Sequence, residues 1–256
     1  MKLSVIIPSF KDPLLQKTID SLLGNSGLGD QLEVIPVFDG YLPAIPLKLD
    51  DRVKIVHLGK NRGMRGAINA GVLVSTGEYI MRTDEHCVFG DNYDLILTSQ
   101  MKDNWIVTPR RYFLDPVKWE VMDISPVDKM DLKIRGGKFT GVEVKGNGEP
   151  LEEATAMQGS VWCLKRKLWN DVIKELDTET YGPLIQDSHE MIFKIWQNDG
   201  KLMVNRNTWH AHKHRSFPRM HNNGTEENPA RCEYGYAQAI KIWGDYYKEI
   251  KEKWGI

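Results

Sequence analysis

Residues 77–86 read GEYIMRTDEH, in which 78–82 predicts a strand and the polar cluster Thr83-Asp84-Glu85-His86 follows where that strand ends. Upstream of this stretch, short apolar runs alternate with apolar residues at helical spacing. We predict strands over 3–8, 32–38 and 53–58, a helix that begins at Asp12-Pro13, and a helix over 63–75. This alternation is typical of an α/β fold whose mainly parallel sheet is flanked by helices.

Downstream, a long segment of different character interrupts the regular pattern. Residues 110–155 are mixed in charge and rich in turn glycines, which predicts hairpins and loops, often part of a binding site. The remaining elements are predicted as a helix over 92–101, a strand over 105–108, a strand over 161–164, helices over 165–176 and 187–198, a strand over 202–204, and an amphipathic C-terminal helix after Asn228-Pro229.

We expect residues 1–228 to form one catalytic domain, followed by a C-terminal helix over 229–256 that packs back on it. Within the domain, 1–109 is the predicted nucleotide-binding half, and 110–228 is the half that binds the acceptor and completes a metal site.

Composition narrows the class of protein. The 256 residues carry 34 Lys and Arg against 35 Asp and Glu, a net charge of −1, which disfavours an extended nucleic-acid surface. Three widely spaced cysteines, without a CxxC pair, disfavour a disulfide framework or a zinc knuckle. No apolar run approaches the ~20 residues of a membrane span, so we expect a soluble, cytoplasmic protein.

Acidic residues follow two of the predicted strands, at the sheet edge where α/β proteins bind ligands. Asp39 follows the second strand and Asp84 the fourth. The carboxylate of Asp84 and the imidazole of His86, two residues apart, can approach one cation from an extended turn. A carboxylate and an imidazole suit Mn²⁺ better than Mg²⁺, which prefers oxygen ligands alone. The alternative interpretation of Asp84-Glu85-His86 is a polar turn that binds no metal.

A second histidine cluster and two basic segments strengthen the case for an anion site. His210, His212 and His214 alternate, so in a strand they point to one face. Residues 201–220 and 53–77 contain several Lys and Arg but no acid, and a solvated basic face is the alternative interpretation. Together with metal ligands, these segments predict a pocket for a metal-bound diphosphate.

Four stretches, in order and at familiar spacing, resemble family 2-like glycosyltransferases of the GT-A fold. They are SVIIPSF over 4–10, the strand end at Asp39, NRGMRGAINAG over 61–71, and GEYIMRTDEH over 77–86. His86 replaces the second aspartate of the usual Asp-x-Asp metal motif, and Cys87 follows it. This variant resembles the polypeptide N-acetylgalactosaminyltransferases, as do, more loosely, residues 158–169, 187–200 and 201–215.

The resemblance implies a role for each candidate residue. Asp39 would bind the nucleotide base, uracil being the simplest choice, and the backbone at Pro8 and Ser9 would frame the ring. The other donor-side residues would be Arg65, Asn69, Asp84, Glu85 and Arg215. The metal ligands would be Asp84, His86 and His212. The residues on the acceptor side would be Glu190, His210 and His214.

Asp187 would act on the acceptor. In inverting relatives, the acid at the start of this helix is a general base, whereas in the retaining polypeptide branch it positions substrate. Where that branch has Gly-Gly-Glu, this chain has Ile185-Gln186-Asp187, so the backbone path to the acid differs.

The predicted activity is transfer of a sugar from a nucleotide-diphosphate donor, a UDP-sugar in the first instance, to a hydroxyl acceptor with Mn²⁺ or Mg²⁺ as cofactor. A glycan, a lipid-linked sugar, a protein and a modified nucleic acid all remain open as acceptors. A nucleotidyltransferase is one alternative, although the chain lacks a glycine-rich loop after its first strand. A non-catalytic module that binds sugar nucleotides or glycans is the other.

Overall fold

The computed structural model describes residues 1–182, 184–214 and 229–254, and for 229–231 and 253–254 it describes the backbone only. The strands are β1 Leu3–Ser9, β2 Leu32–Asp39, β3 Val56–Leu58, β4 Tyr79–Thr83, β5 Cys87–Phe89, β6 Trp105–Asp115, β7 Glu120–Val121, β8 Lys129–Arg135, β9 Lys138–Val144, β10 Leu151–Ala154, β11 Val161–Lys165 and β12 Lys201–His212. The α-helices are α1 Leu15–Gly24, α2 Gly63–Val74, α3 Tyr93–Ser99, α4 Arg166–Leu168, α5 Thr178–Tyr181, α6 Asp187–Trp196 and α7 Pro229–Trp254, with a 3₁₀ turn at Gly29–Gln31 and a π-helical turn at Trp169–Ile173.

One large sheet forms the centre of the protein, with the strand order β10-β12-β6-β11-β4-β1-β2-β3. Strands β1, β2, β3, β4, β6 and β12 run in one direction, while β10 and β11 oppose them. The predicted α/β fold with a mainly parallel sheet is therefore confirmed. Strands β8 and β9 form a separate hairpin within the segment predicted as hairpins and loops.

Helices cover both faces of this sheet because the side chains of each strand alternate between them. On one face, α1 and α3 pack against Leu3, Val5 and Ile7 of β1. The opposite face, which includes Ile6, is covered by α2 and α6.

The C-terminal helix packs back on the domain, as predicted. Trp243 and Tyr247 of α7 are buried against Phe139 of β9 and Phe193 of α6. Among the described helices, none combines the length and the apolar character needed to cross a bilayer.

The predicted element bounds differ from the structure where pairing between strands decides them. Strands predicted over 105–108 and 202–204 extend to Asp115 and His212, because β6 and β12 pair in parallel around a bulge between Asn205 and Trp209. Only Val56–Leu58 of the strand predicted over 53–58 pairs continuously with β2.

The helix predicted over 165–176 is also shorter than expected. It becomes the three-residue α4 followed by the π-helical turn, and it ends at Lys174, whose backbone is left-handed with a φ of 62°.

The buried side chain of Glu33 links the central sheet to Thr76, in the connection between α2 and β4. Glu33 of β2 accepts hydrogen bonds from the Ser4 hydroxyl (2.5 Å) and the Thr76 backbone N–H (2.5 Å), and it pairs with Lys54 (2.7 Å) and Lys2 (3.3 Å). Burial alone would raise the pKa of Glu33, but these partners outweigh it and lower the pKa to about 2.

We predict that Glu33→Gln lowers the free energy of unfolding at pH 7 by on the order of 2–3 kcal/mol. The folded-state pKa lies below the unfolded value, so this contribution is complete above about pH 5 and is lost as the pH falls toward 2. Urea unfolding of wild type and variant from pH 7 to pH 3 measures it, with the exposed Glu149→Gln as control. A difference between wild type and Glu33→Gln that stays constant over this range would contradict the assignment.

Candidate active site

Four strands that run in the same direction end at one edge of the sheet and deliver polar residues there. Ser9 ends β1, Asp39 ends β2, Asp84 directly follows β4, and His212 ends β12. This is the carboxyl edge, where open α/β sheets bind ligands. The parallel arrangement therefore gathers residues that lie up to two hundred positions apart in the sequence.

The local backbone brings His86 against His212. After β4 the chain turns through Asp84 and Glu85 into β5, which pairs antiparallel with β12 so that Cys87 lies opposite His212. The Lys213 N–H donates to the His86 carbonyl at 3.2 Å and extends this pairing. The two imidazoles lie with their centroids 4.9 Å apart.

Asp84, His86 and His212 form the one group among the described residues whose His, Cys, Asp or Glu side chains could hold a metal ion. One ligand atom from each lies within 4.8 Å of the others. His212 Nε2 lies 3.0 Å from Asp84 Oδ2 and 3.1 Å from His86 Nε2. Two imidazole nitrogens and one carboxylate oxygen thus lie close together, and this nitrogen and oxygen set fits a divalent transition metal such as Mn²⁺.

The protonation states of two of these side chains suit a ligand role. Burial raises the pKa of Asp84, but the Arg82 guanidinium and His212 outweigh it and hold that pKa well below its ordinary value. Burial lowers the pKa of His212 to about 4, against the opposing effect of Asp84. At neutral pH, Asp84 is therefore a carboxylate and His212 a neutral imidazole, the forms that bind metals.

A cavity of about 660 Å³ lies beside this triad. Of the predicted site residues, its lining includes Pro8, Ser9, Asp39, Asp84, Glu85, Asp187, His212 and His214. It also includes apolar side chains on the side of the predicted acceptor half, among them Met130, Met157 and Leu184.

Asp39 and Glu85 mark the part of the cavity formed by β1 and β2. Asp39 is buried, and it accepts the Arg62 backbone N–H at 2.6 Å where the chain approaches α2. Burial raises the pKa of Asp39 and raises the pKa of Glu85 to about 8, although the Phe10 N–H donates to the Glu85 carboxyl at 3.1 Å.

Asp187 begins α6 on the opposite wall of the cavity. Its carboxyl is buried, and Oδ2 has no hydrogen-bond partner among the described residues. The residue before it, Gln186, is left-handed with a φ of 58°, a conformation that glycine adopts more readily. The chain thus reaches the acid through a left-handed residue that is not glycine.

Three predicted ligand-binding residues lie elsewhere. Arg65 is fully buried, donates to the Ile185 carbonyl at 2.7 and 2.9 Å, forms an ion pair with Glu190, and lies over the Tyr181 ring. Asn69 is hydrogen bonded to the backbone N–H and carbonyl of Leu176, at 2.9 Å each. None of Arg65, Asn69 and Glu190 is in the cavity lining; Arg65 and Asn69 support the loop that leads to α6, and their predicted roles toward the donor, like that of Glu190 toward the acceptor, stay predictions.

The other candidates divide between the cavity and its surroundings. His86 is buried behind His212, and its Nδ1 lies 2.9 Å from Asp12 Oδ2. His210 is buried away from the lining and bonded to the Ser160 hydroxyl at 3.0 Å, whereas His214 lines the cavity and stacks on Phe113. Arg215 lies outside the described residues.

Sequence reasoning missed two polar residues that contact the triad. Arg82 donates to Asp84 Oδ1 at 2.5 Å, and its position within the buried strand YIMRT was a signal that could have identified it. Asp12 was interpreted only as a helix start, because nothing in the local sequence connects it to a histidine 74 positions away.

Both the sequence and the structure of this chain match known proteins. The profile described as Glycosyl transferase family 2 matches residues 4–152. A Caenorhabditis briggsae protein named "Putative polypeptide N-acetylgalactosaminyltransferase 10" is 25% identical over 219 residues, which cover 80% of this chain and 33% of that protein. The chain thus spans about a third of this relative's length.

Three solved structures share the fold at lower identity. GalNAc-T7 with UDP, GalNAc and Mn²⁺ superposes with a TM-score of 0.78 at 16% identity, covering 96% of this chain and 50% of that one. TarS 1–349 of S. aureus gives 0.55 at 14% identity, covering 82% and 60%. The mannosyltransferase PcManGT of Pyrobaculum calidifontis, in complex with GDP-Man and Mn²⁺, gives 0.56 at 15% identity, covering 86% and 58%.

These matches confirm the predicted GT-A fold and the resemblance to polypeptide N-acetylgalactosaminyltransferases. The family match extends over more than half of the sequence and includes the ends of β1, β2 and β4 at the cavity. The chain therefore belongs to glycosyl transferase family 2.

Proposed function

We propose that this protein transfers a sugar from a UDP-sugar to a hydroxyl acceptor, with Mn²⁺ as the preferred metal. The observation that carries the proposal is the convergence of Asp84, His86 and His212 on one point beside a cavity that also contains Asp39 and Asp187. Two solved neighbours hold Mn²⁺ with UDP or with GDP-Man, which supports a metal-bound nucleotide as the donor.

In this proposal, the carboxyl edge of the sheet binds the nucleotide. Asp39 accepts a hydrogen bond from the base, while the backbone of Pro8 and Ser9 frames the ring. Asp84, His86 and His212 would hold the cation, which when bound supplies positive charge against the departing diphosphate. Arg215, three residues beyond His212, is proposed to pair with a phosphate oxygen through its planar guanidinium.

The acceptor is proposed to enter between Asp187 and the apolar part of the cavity lining. Oδ2 of Asp187, which has no hydrogen-bond partner among the described residues, would face an acceptor hydroxyl, whose proton it would take or whose position it would fix. A glycan, a lipid-linked sugar, a protein and a modified nucleic acid each carry a suitable hydroxyl.

The donor and the metal are tested together by thermal unfolding with UDP-, GDP- and dTDP-sugars, each with and without Mn²⁺. We expect the largest stabilisation with a UDP-sugar, and only when Mn²⁺ is present, because the cation links the diphosphate to the triad. His212→Gln removes one of three ligands, so we expect Mn²⁺ affinity to fall by more than about tenfold and the metal-dependent stabilisation to disappear.

The control is His57→Gln, which changes a histidine in the edge strand β3 and should leave the Mn²⁺-dependent shift intact. A shift of equal size without metal, or the absence of any shift with all three donor classes, would contradict the proposal. Stabilisation by a UDP-sugar without hydrolysis or transfer would favour a binding module.

The role of Asp187 is tested separately. We expect Asp187→Asn to reduce turnover of a UDP-sugar by on the order of 10²- to 10⁴-fold, since the amide cannot accept the acceptor proton, while UDP affinity in the presence of Mn²⁺ stays within about twofold. Radiolabelled sugar release measures the first quantity and calorimetry the second. The exposed Glu179→Gln in α5 is the matched control, and near-normal turnover by Asp187→Asn would exclude the assignment.

A further inference from the structure

The turn before α1 places the carboxylate of Asp12 next to His86, one of the proposed metal ligands. Asp12 uses both of its oxygens: Oδ1 accepts the Leu14 backbone N–H at 2.8 Å, and Oδ2 lies 2.9 Å from His86 Nδ1. Asp12 retains only 14% side-chain exposure and His86 2%, so water does not compete freely for the contact.

This contact determines which nitrogen of His86 carries the proton. A carboxylate can only accept a hydrogen bond, so Nδ1 must be the donor in the contact with Asp12. In the neutral imidazole, the other nitrogen, Nε2, then carries a lone pair. It is Nε2 that lies toward His212, 3.1 Å from its Nε2.

We propose that Asp12 is a positioning residue that holds His86 in the tautomer whose Nε2 can bind a divalent cation. The inference extends the proposed metal site: Asp12 does not touch the cation, but it sets the orientation and the proton of a ligand that does. Outer carboxylates of this kind commonly raise the basicity of a metal-bound imidazole and fix its ring.

The fixed backbone donor makes one substitution especially informative. In Asp12→Asn, the Leu14 N–H still requires an oxygen at the Oδ1 position, which leaves the side-chain NH₂ facing His86 Nδ1. That NH₂ can only donate, so it favours the tautomer with the proton on Nε2, which cannot bind a metal. The variant therefore selects the wrong tautomer while preserving shape and helix start.

A second variant separates this effect from folding. A serine hydroxyl can accept the N–H two residues further along the chain, as the Asp12 carboxylate does, so Asp12→Ser can still accept the Leu14 N–H while losing the contact to His86. It leaves the imidazole free to adopt either tautomer, and its loss of metal affinity should be smaller than that of Asp12→Asn. Asp20→Asn, an exposed acid on α1, is the matched control.

Two separate measurements test the proposal: the tautomer of His86 in metal-free protein, and the affinity of the protein for Mn²⁺. Long-range ¹H–¹⁵N correlation spectra at about pH 8, where imidazoles are neutral, identify the protonated nitrogen, with His86 assigned by its loss in His86→Gln. We expect the Nδ1–H form in wild type and Asp20→Asn, and the Nε2–H form in Asp12→Asn. Mn²⁺ affinity, measured by electron paramagnetic resonance, should fall about 10- to 100-fold in Asp12→Asn.

An Nε2–H tautomer in wild type would overturn the inference, as would an Asp12→Asn protein that binds Mn²⁺ within twofold of wild type. If wild type has the Nδ1–H tautomer but neither it nor any variant binds Mn²⁺, the proposed metal site fails while the assignment of the His86 proton to Asp12 stands. The two proposals can therefore fail independently.

Discussion

The pairing of β5 with β12 is the constraint on which the candidate site depends. It places His86 and His212 with their Nε2 atoms 3.1 Å apart, although 126 positions separate them in the sequence. Asp84 joins them because β4 ends one residue before it, at the carboxyl edge where β12 also ends. The proximity of these three side chains is thus a consequence of strand order, and their backbone is held by hydrogen bonds of the central sheet. Such rigid placement limits the rearrangement needed when a metal binds.

The cavity wall at Asp187 is held by side-chain contacts instead of by sheet pairing. Arg65 reaches from α2 to the Ile185 carbonyl and to Glu190, and Asn69 holds Leu176 in the same way. Because these partners are buried and fully engaged, the loop before Asp187 is tied to the helix that follows β3. Contacts from α2 therefore help to determine where the carboxyl of Asp187 lies. The residue before the acid, Gln186, adopts a left-handed conformation although it is not glycine.

The sequence was sufficient for the α/β class, most of the elements, and the placement of Asp39 and Asp84 at one sheet edge, because apolar periodicity and the strand-end rule depend on local patterns. His212 was predicted beside them only from the resemblance to the polypeptide branch, since the predicted strand ended at residue 204. The burial of the ion pair between Arg65 and Glu190 could not be predicted, since a buried ion pair and a surface charge have the same sequence pattern. The sequence also failed for the lengths of β6 and β12, which long-range pairing decides. The sequence predicts Asp12 only as a helix start. Its contact with His86 depends on the turn after β4, which brings His86 next to it.

The central claim, that Asp84, His86 and His212 hold the cation that binds the donor diphosphate, is tested most directly by anomalous diffraction. Crystals grown with Mn²⁺ and UDP would be measured at the manganese absorption edge. The account predicts one strong peak within about 2.0–2.4 Å of an Asp84 carboxylate oxygen and both Nε2 atoms, with diphosphate density on its open side. A peak bound by other residues, or UDP in the cavity with no manganese at the triad, would contradict it.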